Sequence, residues 1–220
     1  MTYDYCVISY PKCGRTWLRM MVSTYCETVG IKEPRGLYTH LNRGIGGTGE
    51  DSRIQYLAEN VDIPRILLTR DHIDTLVSYY HDDMVRGKVS KMADVRGDIN
   101  GYCRKYLSDV QSFYEDASKY YFSCEMRYED LIEDTVHSLM PFLEVILPTR
   151  ELPLCIDGLK HTVEECSFDT LHKLERDGAV DMKVQPDHQK RGFYKTRKGK
   201  VGSAIEELDA ETYDWMRKQL

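Results

Sequence analysis

Lys12, Gly14 and Thr16 stand in the run Tyr10-Pro11-Lys12-Cys13-Gly14-Arg15-Thr16-Trp17-Leu18, between a short apolar segment, Cys6-Val7-Ile8, and a helical pattern. A strand, a tight loop and a helix start in that order aim backbone N–H groups and the positive end of a helix dipole at one spot. Lys12 adds a mobile cation and Thr16 a hydroxyl, so the stretch predicts a site for a phosphate or sulfate group. The Walker A spacing is absent, because here the lysine precedes the glycine.

Two further segments carry anion chemistry. Ile66-Leu67-Leu68-Thr69-Arg70-Asp71 reads as an apolar strand running into a helix, with Asp71 as the cap and Arg70 at the strand's carboxyl end, where open α/β sheets bind ligands. Ser78 follows two turns into that helix, in Val77-Ser78-Tyr79-Tyr80-His81. Near the end of the chain, Phe193-Tyr194-Lys195-Thr196-Arg197-Lys198-Gly199-Lys200-Val201-Gly202 joins a guanidinium, which clamps phosphate with two hydrogen bonds, to a glycine that permits close backbone approach. Taken alone, an arginine such as Arg70 is more often a surface ion pair, and an isolated basic run is by default a solvated loop or a linear nucleic-acid patch.

Positioning these groups requires alternating strands and helices. Short β-branched or aromatic runs alternate with longer amphipathic stretches, which predicts an α/β fold with a central parallel sheet flanked by helices. Strands are expected over residues 4–9, 65–69 and 120–124, and helices over 16–29, 71–86, 101–118 and 209–220. Residues 43–52, with four glycines, and the basic stretch 177–202 read as mobile loops.

The 220 residues suit one compact domain. A net charge of −6 argues against broad nucleic-acid binding but allows a local basic pocket for a small anion. Seven cysteines, with no C-x-x-C pair and no zinc-type spacing, fit a reducing cytoplasm. The first strand begins too early for a signal peptide, and no apolar run reaches membrane-span length.

Taken in order, the segments resemble those of sulfotransferases that use 3′-phosphoadenosine 5′-phosphosulfate (PAPS) and release adenosine 3′,5′-bisphosphate (PAP), in a short cytosolic-type form. Lys12, Gly14, Thr16, Trp17 and Leu18 match the family's 5′-phosphosulfate loop, while Cys13 and Arg15 replace Ser and Thr. Asp71 and His72 replace Asn and Pro after the matching Arg70. The second glycine of the basic loop is followed by Ser203-Ala204 where the family has Asp-Trp, which puts that loop's anchoring in question.

The resemblance implies residue roles. Lys12, Cys13, Gly14, Arg15, Thr16 and Trp17 would hold the 5′-phosphosulfate, and Arg70, Ser78, Arg197, Lys198 and Gly199 the 3′-phosphate. Tyr128, in Tyr128-Glu129-Asp130-Leu131, would contact the nucleotide or serve as a half-buried core aromatic. Ser167-Phe168 would lie beside the adenine, a purine needing a flat apolar partner, or Phe168 would be core. His40, in Tyr38-Thr39-His40-Leu41, matches the family's catalytic base, with Tyr38 in place of a lysine. His72, His81, His137, His161, His172 and His188 carry no comparable motif. The expected reaction is metal-independent, in-line sulfuryl transfer to a hydroxyl or amine of a small-molecule, saccharide or peptide acceptor. His40 would take the proton and Lys12 would balance charge on the leaving group.

Two other classes fit parts of the chain. A nucleotide or small-molecule kinase would also use an anion loop, although the Walker lysine and a carboxylate pair for Mg²⁺ are missing. A nucleotide-binding module without catalysis would account for the departures at Cys13, Arg15, Tyr38 and Ser203. A redox role for Cys13, a thiol near a helix N-terminus and Lys12, has no visible resolving partner.

Overall fold

The computed structural model describes residues 2–41, 52–85, 97–147, 154–179 and 198–220. The chain divides into two compact units, residues 1–70 with 111–166 and residues 71–110 with 167–220.

The first unit is built on a parallel sheet of four strands among the described residues, in the order β2-β1-β3-β4. They are β1 (Tyr5–Ser9), β2 (Gly36–Thr39), β3 (Arg65–Thr69) and β4 (Cys124–Arg127). Every residue of β1 is buried, as a central parallel strand covered on both faces requires. Its partners Cys6↔Leu37 and Ile8↔Thr39 on one side, and Val7↔Ile66 and Ser9↔Leu68 on the other, align all the carboxyl ends. The α/β class and the parallel sheet are therefore as expected from the sequence. Helices α1 (Arg15–Val29), α2 (Ser52–Glu59), α5 (Tyr128–Glu133), α6 (Thr135–Ile146) and α7 (Ile156–Glu165) belong to this unit, and α4 (Ile99–Ala117) has residues in both.

Two strand expectations need correction. The strand expected over 120–124 instead runs Cys124–Arg127, pairing Ile66↔Cys124 and Thr69↔Arg127. The aromatic run before it looks strand-like by propensity, yet Tyr121 is 84% exposed, and only Met126 within β4 is buried. An edge strand with one buried residue carries little hydrophobic pattern. The strand Gly36–Thr39 was not anticipated, because four residues with alternate burial are too short to announce themselves.

The second unit holds α3 (His72–Val85), α8 (Phe168–Arg176), a short 3₁₀ turn at Ser203–Glu206 and α9 (Ala210–Gln219). Asp71 caps α3 as predicted, its Oδ1 accepting from the N–H groups of Ile73 and Asp74 at 3.0 Å each. Its other oxygen accepts from Arg217 at 2.8 Å, which ties α9 to the start of α3. Tyr80 and Tyr102 meet edge to face at 5.2 Å in this unit's core. The Tyr102 hydroxyl donates to buried Asp83 at 2.7 Å. The loops expected over 43–52 and 177–202 lie largely outside the described residues.

Candidate functional site

In the first unit each candidate residue follows directly on a strand's carboxyl end: the anion loop after Ser9, His40 after Thr39, Arg70 after Thr69 and Tyr128 after Arg127. Parallel strands place these positions along one sheet edge, where crossover connections leave a crevice.

The anion loop owes its form to two left-handed residues, Lys12 (φ 73°) and Gly14 (φ 91°). Gly14 is the N-cap of α1 and brings no side-chain oxygen to the first-turn N–H groups, the arrangement that helix starts use to bind anions. Its lack of a Cβ is required twice over. The backbone is left-handed, and a Cβ there would lie 2.7 Å from the Tyr128 ring. Lys12 has no such dispensation, and a side chain in this conformation costs on the order of 1 kcal/mol. Arg70 offsets the cost, its Nη1 donating to the Lys12 carbonyl at 2.9 Å.

Arg70 is the hub of this half. Its guanidinium lies 4.4 Å from the Tyr128 ring centroid, a cation–π contact. Its Nε is buried and has no hydrogen-bond partner among the described residues. Tyr128 meets Trp17 edge to face at 6.0 Å, and the Trp17 indole N–H donates to the Cys166 carbonyl at 2.8 Å. Trp17 is thus fixed at both ends of its ring system. Tyr128 is half-buried and packs against Gly14 of the anion loop and Arg70.

Tyr114 is a neighbour that no motif announces. Its hydroxyl oxygen is 3.4 Å from the Arg70 N–H and 3.9 Å from the Cys13 sulfur. Burial pushes its ionisation well above the ordinary tyrosine range, so it stays a neutral hydroxyl. Cys13 is fully buried and its sulfur is turned toward Tyr114.

His40 is oriented by its ring. Nδ1 lies 2.6 Å from the Ser9 carbonyl oxygen and 3.4 Å from Nη1 of Arg15. A carbonyl only accepts, so the shorter contact assigns the proton to Nδ1 and makes Nε2 the lone-pair nitrogen. The chain turns sharply after the ring, with Leu41 at φ 47° and its N–H donating to Thr39 Oγ1 at 3.1 Å. Arg15 therefore lies beside the imidazole. Tyr38, one residue before Thr39, shares a 2.6 Å hydrogen bond with Tyr5, and burial pushes its ionisation up to about 12.

In the second unit Ser78 lies half-buried on α3. Ser167 is the N-cap of α8, its oxygen accepting from Thr170 N–H at 3.3 Å, so this hydroxyl has a structural partner. Phe168 stacks on His172 at 5.7 Å with 7° between the rings. It also faces Gly199, where φ is 57° and a Cβ would fall 2.2 Å from the Phe168 ring. Phe168 and Gly199, far apart in the chain, are thereby brought together. The Lys198 ammonium is 2.9 Å from Glu207 and 3.6 Å from Glu206. Arg197 lies outside the described residues. Sequence reasoning had no signal for Tyr114, Glu206 or Glu207, since none belongs to a motif.

Among the described residues, no cluster of three His, Cys, Asp or Glu side chains is placed to hold a metal ion. None of the seven cysteines is in a disulfide. No described helix is long and apolar enough to cross a membrane.

Comparison with known proteins agrees with the geometry. Residues 53–219 match the model of a family described as the sulfotransferase domain, a span beginning after the anion loop and His40. Among solved structures, the chain is similar to mouse sulfotransferase SULT7A1 complexed with PAP, at a TM-score of 0.66 and 16% identity. That similarity covers 98% of this chain and 82% of the mouse chain, and at such identity it speaks for the fold. No curated protein matches the chain.

Proposed function

The chain belongs to the sulfotransferase family, and from that premise we propose that it transfers a sulfuryl group from PAPS to a hydroxyl or amine acceptor with His40 as the base. The observation that carries the donor assignment is Arg70. A guanidinium at the sheet's carboxyl edge is held by the Lys12 carbonyl and the Tyr128 face, while its buried Nε has no hydrogen-bond partner among the described residues and suits a phosphate oxygen. The glycines at 14 and 199, each against an aromatic ring, support donor-binding roles for their segments.

PAPS supplies an activated sulfuryl group on a phosphate leaving group. The chain's own residues supply position and charge. The first-turn N–H groups of α1, with Thr16 and Lys12, are assigned to the phosphosulfate, and Lys12 to the charge that grows on the leaving oxygen. Arg70, Ser78, Arg197, Lys198 and Gly199 are assigned to the 3′-phosphate, Tyr128 to the nucleotide and Phe168 to the base. His40, with its proton on Nδ1, offers Nε2 to the acceptor proton. No step calls on a metal. The acceptor is a small molecule, saccharide or peptide, and a cytoplasmic setting is supported by seven cysteines without a disulfide. The family match runs through parts of both units, which supports one sulfotransferase domain.

The test is incubation with sulfur-labelled PAPS and a panel of phenols, sugars, steroids, amines and tyrosyl peptides, with chelator present. Label should pass to at least one acceptor and PAP should form in equal amount. Transfer of phosphate from a Mg²⁺-nucleotide instead, with no movement of the sulfur label, would establish the kinase reading.

A further inference from the structure

Asp74 lies on α3, one turn before Ser78, and is 2% exposed. Its two oxygens are both occupied by backbone of the C-terminal segment: Oδ2 accepts from Gly202 N–H at 2.6 Å and Oδ1 from Ala204 N–H at 2.9 Å. A buried carboxylate bonded to two amides is a charge-assisted anchor. The chain reverses there, with Gly202 at φ 72° leading into the 3₁₀ turn Ser203–Glu206. This is the point where Ser203-Ala204 depart from the family's residues, and backbone N–H groups bind there whatever side chains follow.

A second tie reinforces the first. Glu207 joins Lys198, at 2.9 Å, to His81 of α3, at 2.5 Å. Asp74, Ser78 and His81 are spaced i, i+4, i+7 and so share one helical face. The helix face that carries the 3′-phosphate serine is therefore the face to which the segment carrying Lys198 and Gly199 is fastened.

We propose that Asp74 is a positioning residue for recognition of the donor's 3′-phosphate, acting through the backbone of residues 198–202 that it holds over the Ser78 face. The proposal rests on the PAPS reading above. A phosphate held by Lys198, Gly199 and Ser78 together requires the segment and the helix in fixed register, and Asp74 sets that register without touching the ligand.

The experiment compares PAP with adenosine 5′-monophosphate, which lacks the 3′-phosphate, by calorimetry on wild-type protein and Asp74→Asn. The amide keeps the carboxylate's shape but loses its charge and one acceptor. Wild-type preference for PAP should fall about tenfold or more in Asp74→Asn, while monophosphate affinity stays within about twofold. An unchanged preference, or equal weakening of both nucleotides, overturns the proposal. A wild-type protein with no preference for PAP would instead defeat the PAPS reading itself. Hydrogen exchange on wild-type protein adds a measurement that needs no variant. The Gly202 and Ala204 amides should be protected without ligand and gain protection with PAP but not with the monophosphate. Solvent-rate exchange at both amides overturns the proposal.

Discussion

His40 is held at Nδ1 by the Ser9 carbonyl, which fixes the ring and leaves Nε2 for the role of base proposed above. His40→Ala removes that proton acceptor and leaves Lys12, Arg70 and Tyr128 in their mutual contacts. Single-turnover transfer should fall by about 10²–10⁴-fold, with PAP affinity near wild type. Wild-type transfer rates in this variant across neutral pH would place the base elsewhere. The family was legible at this scale because the motif residues are chemically unusual in combination: a lysine, a glycine and a threonine at a helix start, then an arginine at a strand end. Tyr114 was not legible. It stands in a helix with ordinary amphipathic spacing, and only the fold brings its hydroxyl to Cys13 and Arg70.

Elements were legible where their pattern was long or capped. Helix α3 begins one residue after its expected cap because Asp71 supplies an oxygen to two first-turn N–H groups. Strands β2 and β4 were missed or displaced because edge strands of four residues bury too few side chains to set a period. Caps also give this scale its prediction. Asp209 accepts from Thr212 N–H at 2.6 Å at the start of α9, and that bond holds its carboxyl below the ordinary aspartate value of 3.8. A lowered folded-state pKa contributes stability above the unfolded value, lost as pH falls through the folded one. Asp209→Ala should therefore melt at a lower temperature than wild type at pH 7. The difference should shrink as the pH is taken below about 3.8, and melting curves at the two pH values check it.

At the scale of the molecule, the parallel sheet explains how segments so far apart in sequence come to one place. Strands running the same way deliver their following residues to one edge, so Lys12, His40, Arg70 and Tyr128 need only follow successive strands to come together. That logic was readable from alternating elements alone. The anchoring of the C-terminal segment was not, because it runs through backbone N–H groups, which every sequence possesses.

The central claim is that this scaffold recognises a nucleotide carrying phosphates at both 3′ and 5′ positions, and calorimetric titration with PAP and with adenosine 5′-monophosphate tests it most directly. In the role proposed for it, Arg70 makes a charge-assisted bond to the 3′-phosphate worth about 1.5–3 kcal/mol. Wild-type protein should bind PAP at least about tenfold tighter than the monophosphate, and Arg70→Ala should lose about that factor for PAP. Equal affinity of the wild-type protein for the two nucleotides would contradict the account.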